Sequence, residues 1–360
     1  MGLFGQKTLT RTFLSIKKPK NGLDNEEKNL MLFLKNTKPT GIHTKYPKQA
    51  THIKLATITL LFIIILVGNL AFTHAQTYMF SNKWGSFGSE IEQFSNPYDL
   101  AIDSQGNIYV ADTYNHRIQK FTGEGEFLTT WGTYGTKEGQ FNYTMGIAVD
   151  KNDNVYVADT CNYRVQKFTS EGEYLLQWGS FGSDDGQFYY LYDMAVDTQG
   201  YVYVSDSANN RVQKFTSEGE YLLQWGSFGS DDGQFKYPHG IATDKNDNIY
   251  VSDYHNNRIQ KFTNQGEYIL QMGTYGTGDG QIRNPKGVAV DNKGNIYVGD
   301  YYNHRIQKFS DDGKFQETWG TLGGNDGQFR TPKGVAVDQT GKVYVTDTKN
   351  HRIQVFNIPN

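Results

Sequence analysis

The sequence predicts an all-β protein that folds as a six-bladed β-propeller of four-stranded blades. The first observation behind this prediction is an Asp that ends a short apolar run and recurs with a constant step of 47 residues, at Asp103, Asp150, Asp197, Asp244, Asp291 and Asp338. The second is that each copy alternates apolar and polar residues over short runs separated by turns rich in Gly, Asp and Asn. The third is that the last copy lacks its fourth strand, whereas an additional fourth strand precedes the first copy.

Each copy contains four predicted strands, represented by "GIAVD", "NIYVAD", "RIQKF" and "YLLQWG". Four strands in a period of about 45 residues is typical of a propeller blade, which buries its faces against its neighbours. The alternating Val, Ile and Tyr pattern excludes a solenoid of stacked helices. Because six copies follow one another without insertions, we expect a single ring of six blades.

The ends of the repeat region predict how the ring closes. The last copy stops after "RIQVF" and lacks its fourth strand, whereas "YMFSNKWG" at residues 78–85 is a fourth strand with no preceding three. Trp84 lies one period before Trp131, which confirms the phase of this strand within the repeat. We therefore expect the N-terminal strand to complete the last blade, which removes an open sheet edge.

The segment before the repeats has a different composition. Residues 1–54 carry eleven Lys or Arg residues and three acidic residues, which leaves 24 basic and 35 acidic residues in the rest of the chain. The basic segment has too few apolar positions to form a core, and we expect a disordered cytoplasmic tail. The single cysteine, Cys161, allows no internal disulfide.

An apolar run separates the basic segment from the repeats. The run "LATITLLFIIILVGNLAF" at residues 55–72 carries no charge and is long enough to span a bilayer. Lysines before it and an acidic region after it predict a single-pass anchor with the N-terminus cytoplasmic and the repeats extracytoplasmic. The alternative is the hydrophobic region of a signal peptide that is cleaved near Ala75, with Met31 as the true start of translation.

The blade motif resembles the NHL-repeat family of six-bladed propellers. The resemblance rests on "NPKGVAVDNKGNIYVGDYYNHRIQKF" at residues 284–309 and "WGTLGGNDGQF" at residues 319–329, and it covers residues 78–360. Blades 1 and 3 depart from the family pattern, since they carry Asp99 and Asp193 where the pattern has Gly. The resemblance implies a binding domain. Six-bladed relatives also include amidating lyases and lactonases with a metal in the channel, and some relatives bind RNA through a basic face.

Residues that recur in every blade are interpreted as scaffold, because six copies cannot mark one unique site. Asp112, Asn115 and Arg117 represent this set, and we expect the Arg to pair with the Asp. The "DKNDN" loops at residues 150–154 and 244–248 start like a calcium loop but lack its Gly and its final Glu, so they are predicted to be hairpin turns. Residues 164–188 and 211–235 are identical, which favours a modular binding surface over an active site.

The residues that differ between blades are the candidates for function. They lie where the first strand of each blade enters the central channel, on the face that also carries the turn between the second and third strands. The candidate binding residues at this channel mouth are Tyr98, Asp99, Tyr192, Asp193, His239, Lys286 and Lys333, with Arg283 and Arg330 nearby on blades 5 and 6.

Three functional hypotheses follow. The favoured one is a non-enzymatic, monomeric propeller that binds a protein, or a small ligand, at the channel mouth without a cofactor. The second is a metal-dependent lyase or hydrolase in which Asp99, Asp193 and His239 hold a divalent cation in the channel. The third is an RNA-binding domain that uses Arg283 and Arg330. This hypothesis is disfavoured because the chain after residue 54 has 24 basic and 35 acidic residues, a formal net charge of −11.

Overall fold

The computed structural model describes residues 78–358, which form six four-stranded antiparallel sheets arranged as a propeller. The all-β fold, the six blades and the four strands per blade are thereby confirmed.

Within residues 78–358, no helix is both long enough and apolar enough to cross a membrane. The predicted tail at 1–54, the apolar run at 55–72 and the cleavage position at Ala75 lie outside the described residues.

The strands repeat in the same order in every blade, from the innermost first strand to the outermost fourth strand. The first strands are β4 (Pro97–Ile102), β10 (Thr144–Val149), β14 (Leu191–Val196), β18 (Pro238–Thr243), β24 (Pro285–Val290) and β28 (Pro332–Val337). The second strands are β5 (Ile108–Asp112), β11 (Val155–Asp159), β15 (Val202–Asp206), β19 (Ile249–Asp253), β25 (Ile296–Asp300) and β29 (Val343–Asp347). The third strands are β6 (Arg117–Phe121), β12 (Arg164–Phe168), β16 (Arg211–Phe215), β20 (Arg258–Phe262), β26 (Arg305–Phe309) and β30 (Arg352–Asn357). The fourth strands are β7 (Phe127–Trp131), β13 (Tyr174–Trp178), β17 (Tyr221–Trp225), β21 (Tyr268–Met272), β27 (Phe315–Trp319) and, for the last blade, β1 (Met79–Trp84).

Short elements connect the blades and the inner strands. The connections after the fourth strands contain the two-residue parallel pairs β2 (Ser86–Phe87) with β3 (Gln93–Phe94), β8 (Thr133–Tyr134) with β9 (Gln140–Phe141), and β22 (Thr274–Tyr275) with β23 (Gln281–Ile282). Single turns of 3₁₀ helix join the second and third strands at Thr113–Asn115, Thr160–Asn162, Tyr301–Asn303 and Thr348–Asn350.

Burial along a blade explains the residue types in each strand. All five residues of β11 are buried, because this strand lies in the middle of its sheet with a neighbouring blade on each face. Along β13, half-buried and exposed residues alternate, because the fourth strand forms the outer edge of the blade.

Trp131 at the end of β7 packs against Phe168 of the next blade, with their ring centroids 5.9 Å apart. The Trp ring therefore fills the space between two blades.

The recurring Asp, Asn and Arg form one buried network in each blade. In blade 2, Asp159 accepts hydrogen bonds from Arg164 Nε at 2.7 Å, from Asn162 Nδ2 at 2.9 Å and from the backbone N–H of Asn142 at 2.7 Å. The same Asp to Arg pairing occurs at Asp112–Arg117, Asp159–Arg164, Asp206–Arg211, Asp253–Arg258, Asp300–Arg305 and Asp347–Arg352. These six guanidinium groups are committed to the scaffold, as the sequence predicted.

The "DKNDN" segments are hairpin turns. Asp153 has φ of +61° and its backbone N–H donates to the Asp150 carbonyl, so it occupies the position that Gly takes in the other blades. The Asp150 carboxylate accepts from the backbone N–H groups of Asn152 and Asn154, at 2.8 and 3.0 Å. The Asp153 carboxylate in turn accepts from Ser104 of the preceding blade, so the turn also joins two blades.

A second set of hydrogen bonds joins blades at the residue that precedes the third strand in five of the six blades. His116, His304 and His351 adopt the left-handed conformation at this position. Their Nδ1 atoms accept the backbone N–H of the next blade, from Tyr143, Thr331 and Asn96 respectively, at 3.1, 3.1 and 3.2 Å. In blades 3 and 4 an Asn side chain accepts the equivalent bond: Asn210 Oδ1 accepts the Tyr237 N–H and Asn257 Oδ1 accepts the Asn284 N–H, both at 3.0 Å. These side chains therefore connect neighbouring blades.

The ring closes through β1, as predicted. β1 pairs antiparallel with β30, with Met79 opposite Asn357 and Trp84 opposite Ile353. Tyr78, which precedes β1, stacks on Trp319 of blade 5 at a centroid distance of 4.5 Å. Its hydroxyl forms a hydrogen bond with the Tyr297 hydroxyl at 2.8 Å. The N-terminal strand therefore completes blade 6 and also holds it against blade 5.

The closing strand gives a first prediction. We expect Trp225→Ala to lower the free energy of unfolding by about 3 kcal/mol through lost packing between blades. Trp84→Ala should cost more, because β1 has no hairpin to β30 and depends on its own side chains to offset the entropy of closing the ring. Urea unfolding and amide hydrogen exchange of β30 measure the difference. Equal losses of stability, with unchanged exchange in β30, would contradict this role for β1.

The histidines between blades give a pH prediction. Burial lowers the pKa of His116, His304 and His351 below 6.5. A protonated Nδ1 would also lose the hydrogen bond that it accepts from the neighbouring N–H. Below about pH 6.5 the unfolded chain therefore binds protons that the folded chain resists, so stability should fall as the pH decreases, by a small amount because these imidazoles are partly exposed to solvent.

The matched variant replaces all three histidines with Asn, the residue that blades 3 and 4 use for the same bond. Unfolding of the wild type and of the triple Asn variant would be compared between pH 7.5 and about pH 5. We expect similar stability at pH 7.5 and a shallower loss toward acid for the variant. Parallel curves for the two proteins would show that these bonds do not set the acid sensitivity.

Candidate functional site at the channel-mouth face

The channel-mouth face is the face on which the first strands begin and on which the turns between second and third strands lie. The two segments are bonded to each other in blade 1, where the Ser95 backbone N–H donates to Asp112 at 2.7 Å and the Tyr114 N–H donates to the Ser95 carbonyl at 3.1 Å. Every blade therefore delivers the second and third residues of its first strand to the same end of the channel.

Close approach of the first strands explains the glycines at this end. A Cβ on Gly240 would lie 2.1 Å from the Lys286 carbonyl oxygen, and one on Gly287 would lie 2.2 Å from the Lys333 carbonyl oxygen. A larger residue at either of these two positions would push the adjacent blades apart. Asp99 and Asp193 occupy this position in blades 1 and 3, and a Cβ on the intervening Gly146 would lie 2.7 Å from Asp193 Oδ1.

The two carboxyl groups are buried and share a hydrogen bond. Asp99 also accepts the backbone N–H of Ile147 at 3.2 Å, and Asp193 accepts that of Ile241 at 3.0 Å. Burial raises the pKa of Asp99 to about 6. Burial, and then the neighbouring charge of Asp99, raises the pKa of Asp193 well above its ordinary value. Asp193 therefore holds the proton and donates it to the Asp99 carboxylate.

A second group of buried side chains meets across the channel. The Tyr98 hydroxyl of blade 1 and His239 Nδ1 of blade 4, on the opposite side of the ring, lie 3.2 Å apart. The His239 ring is stacked between Tyr192 and Tyr254, at centroid distances of 4.0 and 4.3 Å. Burial, and then the charge of Lys286, lowers the pKa of His239 well below its ordinary value. The hydrogen bond between the Tyr98 hydroxyl and this neutral imidazole joins the two opposite blades through the centre.

Lys286 fills the remaining space at this centre. Its ammonium group donates to the Tyr98 hydroxyl at 3.3 Å, and the structure places no carboxylate of residues 78–358 within salt-bridge distance of it. Burial, and then the charge of Lys333, lowers the pKa of Lys286 well below its ordinary value. Four tyrosine rings surround its Nζ with centroids 4.9 to 5.8 Å away, namely Tyr98, Tyr192, Tyr254 and Tyr301. We call Tyr98, Tyr192, His239 and Lys286 the hub.

Lys333 lies beside the hub. Its Nζ is 4.1 Å from the centroid of the Tyr98 ring, and burial lowers its pKa to about 7. The structure thus brings Tyr98, Tyr192, His239, Lys286 and Lys333 together. Their polar groups are satisfied mainly by one another, which was not predictable from a single strand.

The residues proposed for a metal do not form one cluster. Asp99 and Asp193 face each other, whereas His239 Nδ1 is bonded within the hub. Among the described residues, no group of three or more His, Cys, Asp and Glu is arranged to hold a metal ion. The arrangement can share a proton between two carboxyl groups and can hold an imidazole neutral, but it does not present these three side chains to one cation.

An opening of about 300 Å³ lies at the opposite end of the channel, among the hairpin turns between the first and second strands. Asp150, Asp197, Asp244 and Asp291 line it. Their carboxylates already accept hydrogen bonds from turn amides and from buried tyrosine hydroxyls, as Asp197 does from Tyr203 at 2.8 Å. The carboxylates at this end of the channel therefore belong to the scaffold of the hairpin turns.

The channel-mouth face also carries a ring of exposed apolar side chains, which we call the apolar crown. Each follows a fourth strand, and each is 60 to 69% exposed: Phe87, Tyr134, Phe181, Phe228, Tyr275 and Leu322. Phe87 contacts the ring of His351 and Tyr134 contacts that of His116, at centroid distances of 4.8 and 5.0 Å, which places the crown beside the turns of this face. The crown therefore leaves one large apolar side chain exposed on every blade of this face.

Sequence reasoning missed the apolar crown because it treated every recurring residue as scaffold. The signal was present in the pattern Trp-Gly-x-aromatic-Gly, since Gly132 and Gly135 flank a large residue that has no alternation to bury it. The backbone of each crown residue bridges to a fully buried residue of the same connection, as Tyr134 does to Phe141. The connection is thus held by one buried ring and presents a second one to solvent.

Arg283 and Arg330 lie on the same face, at one repeat position in blades 5 and 6. The backbone N–H groups of these residues donate to Asp300 and Asp347 at 2.7 Å, which fixes their connections to the turns. The Arg283 guanidinium lies between the rings of Tyr275 and Tyr302, 5.9 and 5.8 Å from their centroids. Both residues are therefore on the predicted face, outside the hub.

The hub gives a testable prediction. Tyr98→Phe removes the hydroxyl that links His239 and Lys286, and we expect it to lower the free energy of unfolding by about 1 to 3 kcal/mol. Tyr192→Phe is the matched control, because the Tyr192 hydroxyl makes no hydrogen bond to residues 78–358 and should cost less than about 0.5 kcal/mol. Urea unfolding measures both values. Equal values would show that the cross-channel bond contributes nothing to stability.

Comparison with known proteins places these features in a family. The model of the NHL repeat matches residues 94–121, 141–168, 188–215, 235–262, 283–309 and 329–356, one match in each blade. The B-box type zinc finger protein ncl-1 of Caenorhabditis elegans is 48% identical over 52 residues, which span 14% of this chain and 6% of that protein. Protein brain tumor of Drosophila melanogaster is 46% identical over 52 residues and is covered to 5% of its length.

Solved structures resemble the fold at low sequence identity. A gluconolactonase from Xanthomonas campestris is 13% identical with a TM-score of 0.57, over 79% of this chain and 98% of that one. A virginiamycin B lyase from Staphylococcus aureus is 13% identical with a TM-score of 0.53, over 80% of this chain and 97% of that one. At this identity the likeness concerns the fold alone. Six NHL repeats, one in each blade of a closed ring, identify this chain as an NHL-repeat β-propeller protein.

Proposed function

We propose that the propeller is a non-enzymatic binding module that recognises a partner protein with its channel-mouth face. In this proposal residues 55–72 anchor the chain in a membrane and the propeller is extracytoplasmic. The observation that carries the proposal is the contrast between the hub and the apolar crown on one face. The hub groups are buried and bonded to one another, whereas the crown presents six large apolar side chains to solvent.

The crown supports a protein as the partner. Tyrosine and phenylalanine side chains are enriched in protein interfaces because they bury a large area at a low cost in conformational entropy. Tyr114, Tyr143, Tyr237 and Tyr302 are also exposed on this face and widen the apolar surface. A partner that covers several blades would exclude water from these rings without any rearrangement of the hub.

The enzymatic alternative has less support. A lyase or hydrolase of the propeller type would need an open channel with groups that converge on a substrate, and here Tyr98, His239 and Lys286 occupy the centre. The lyase and lactonase structures share the fold, and a fold by itself does not assign a function. RNA binding is also less well supported, because a net charge of −11 after residue 54 opposes the approach of a polyanion.

The membrane anchor rests on the sequence. Eighteen uncharged residues after a lysine-rich segment suit a span with the N-terminus in the cytoplasm. Sequencing the N-terminus of the mature protein distinguishes a retained anchor from cleavage near Ala75. Either result leaves the propeller outside the cytoplasm in this proposal.

The apolar crown provides the test of the binding face. We expect the double variant Phe181→Ser and Phe228→Ser to weaken partner binding by tenfold or more, because two exposed rings would no longer be buried in the interface. The matched control is Leu175→Ser with Leu222→Ser, since these exposed leucines lie on the outer strands of the same two blades. The full-length proteins would be used to capture membrane and surface proteins from their source cells, and captured candidates would be titrated.

The control should bind as the wild type does. Equal binding by wild type, crown variant and control would overturn the assignment of this face. A stoichiometric metal that is lost on Asp99→Ala and Asp193→Ala would instead favour the lyase or hydrolase alternative.

A further inference from the structure

A row of cationic side chains crosses three neighbouring blades on the channel-mouth face. Lys236, Arg283 and Arg330 occupy the same repeat position in the connections that enter blades 4, 5 and 6. We call these three residues the basic arc. We infer that the basic arc binds an acidic, extended segment of the partner protein, an inference that rests on the proposed function and names the chemistry of the partner.

The arc is confined to one side of the ring. At the same repeat position blades 1, 2 and 3 carry Ser95, Asn142 and Tyr189, which have no positive charge. Lys349 lies next to the arc, since its backbone N–H donates to the Arg330 carbonyl at 3.1 Å. The cationic side chains therefore form one continuous patch over blades 4 to 6 rather than a symmetric ring.

The cations of the arc are not neutralised by the protein. Residues 78–358 contain eight arginines, and six of them pair with the recurring Asp of their own blade. Arg283 and Arg330 are the two for which the described residues offer no carboxylate partner, and Lys236 has none either. Their charges are available to a ligand.

Arg283 is also held in position. Its guanidinium lies between the rings of Tyr275 and Tyr302, and its Nε is buried and has no hydrogen-bond partner among the described residues. Because Nε is enclosed by the protein, a carboxylate of a ligand would pair with the two terminal nitrogens, which make no hydrogen bond with the described residues. Because the rings already restrict the side chain, little further entropy is lost when a carboxylate binds.

The arc alternates with the apolar crown. Lys236 Nζ lies 5.7 Å from the centroid of the Phe228 ring, and Arg283 lies 5.9 Å from that of Tyr275. Two of the three cations of the arc, Lys236 and Arg283, therefore stand beside a crown ring. An extended peptide with carboxylates separated by apolar side chains matches this alternation, because it can pair with the cations and bury the rings at the same time.

Exposed carboxylates in the outer loops of the same blades disfavour the binding of a polyanion of uniform charge, such as a nucleic acid. Asp231, Asp232, Asp279 and Asp326 are exposed in the loops that follow the crown residues. A nucleic acid that crossed the arc would bring phosphates near these carboxylates. A short acidic segment of a protein avoids them, since its charge need not continue beyond the arc.

The test is a selection of peptides from a random 12-residue display library on the immobilised full-length protein. We expect the selected peptides to be enriched in Asp and Glu beside aromatic or aliphatic residues. A parallel selection uses the double variant Arg283→Asn and Arg330→Asn, in which Asn is the residue that blade 2 carries at this position as Asn142. Acidic enrichment should be lost on this variant.

Affinities then give a quantitative outcome. For a fluorescein-labelled acidic peptide from the selection, we expect each arginine substitution to weaken binding by about tenfold. The control Lys137→Ala removes an exposed cation of blade 2 outside the arc and should leave the affinity unchanged. Circular dichroism and urea unfolding check that the variants remain folded.

The remaining outcomes separate this inference from the proposed function. Selected peptides without acidic enrichment would overturn the inference. So would peptides whose binding depends on Phe181 and Phe228 but not on the arc. Neither result would contradict the proposed function as a binding module. Failure to select any peptide would count against both. Tighter binding of a labelled oligouridylate than of any acidic peptide, lost on the arginine variants, would replace the acidic segment with a nucleic acid.

Discussion

The pairing of β1 with β30 is the interaction on which the rest of this structure depends. The strands lie at opposite ends of the propeller sequence, so their association closes all six blades into one ring. Only in a closed ring do the first strands converge closely enough for Gly240 and Gly287 to be required. Tyr78 reinforces this closure, because it stacks on blade 5 while β1 completes blade 6. The hub, the channel-mouth face and the apolar crown all follow from this constraint.

Convergence at the centre has an electrostatic consequence. The six residue pairs at the starts of the first strands are of four kinds and meet in the buried centre. Burial there raises the pKa of Asp99 and Asp193 and lowers that of His239 and Lys286. The protein satisfies these groups with one another across the ring. Perturbed pKa values are common in active sites, but here they accompany a filled centre that stabilises the ring. We therefore place recognition on the surrounding face.

Repetition has two meanings in this chain. The recurring Asp and Arg, as in Asp159 and Arg164, are buried and bonded, and they are scaffold. The recurring crown residues are exposed, and sixfold repetition makes them a broad surface instead of a support. The basic arc adds asymmetry to this surface, because Arg283 and Arg330 occur in only two blades and lack the carboxylate partners that the scaffold arginines have. In the proposed function, the crown would supply the area of the interface with a partner, and the basic arc would set the orientation of that partner.

The sequence by itself determined the number of blades, the strands of each blade and the closing strand, because a period of 47 residues and the alternation of apolar residues are local properties. It also placed Tyr98, Asp99, Asp193 and His239 at one end of the channel. Only the tertiary structure decided which of these groups touch. The carboxyl pair, the Tyr98 to His239 bond and the histidine bonds between blades join residues from different blades, and their geometry depends on ring closure. Exposure of the crown was likewise a tertiary result, since burial is a property of neighbours that are distant in the chain.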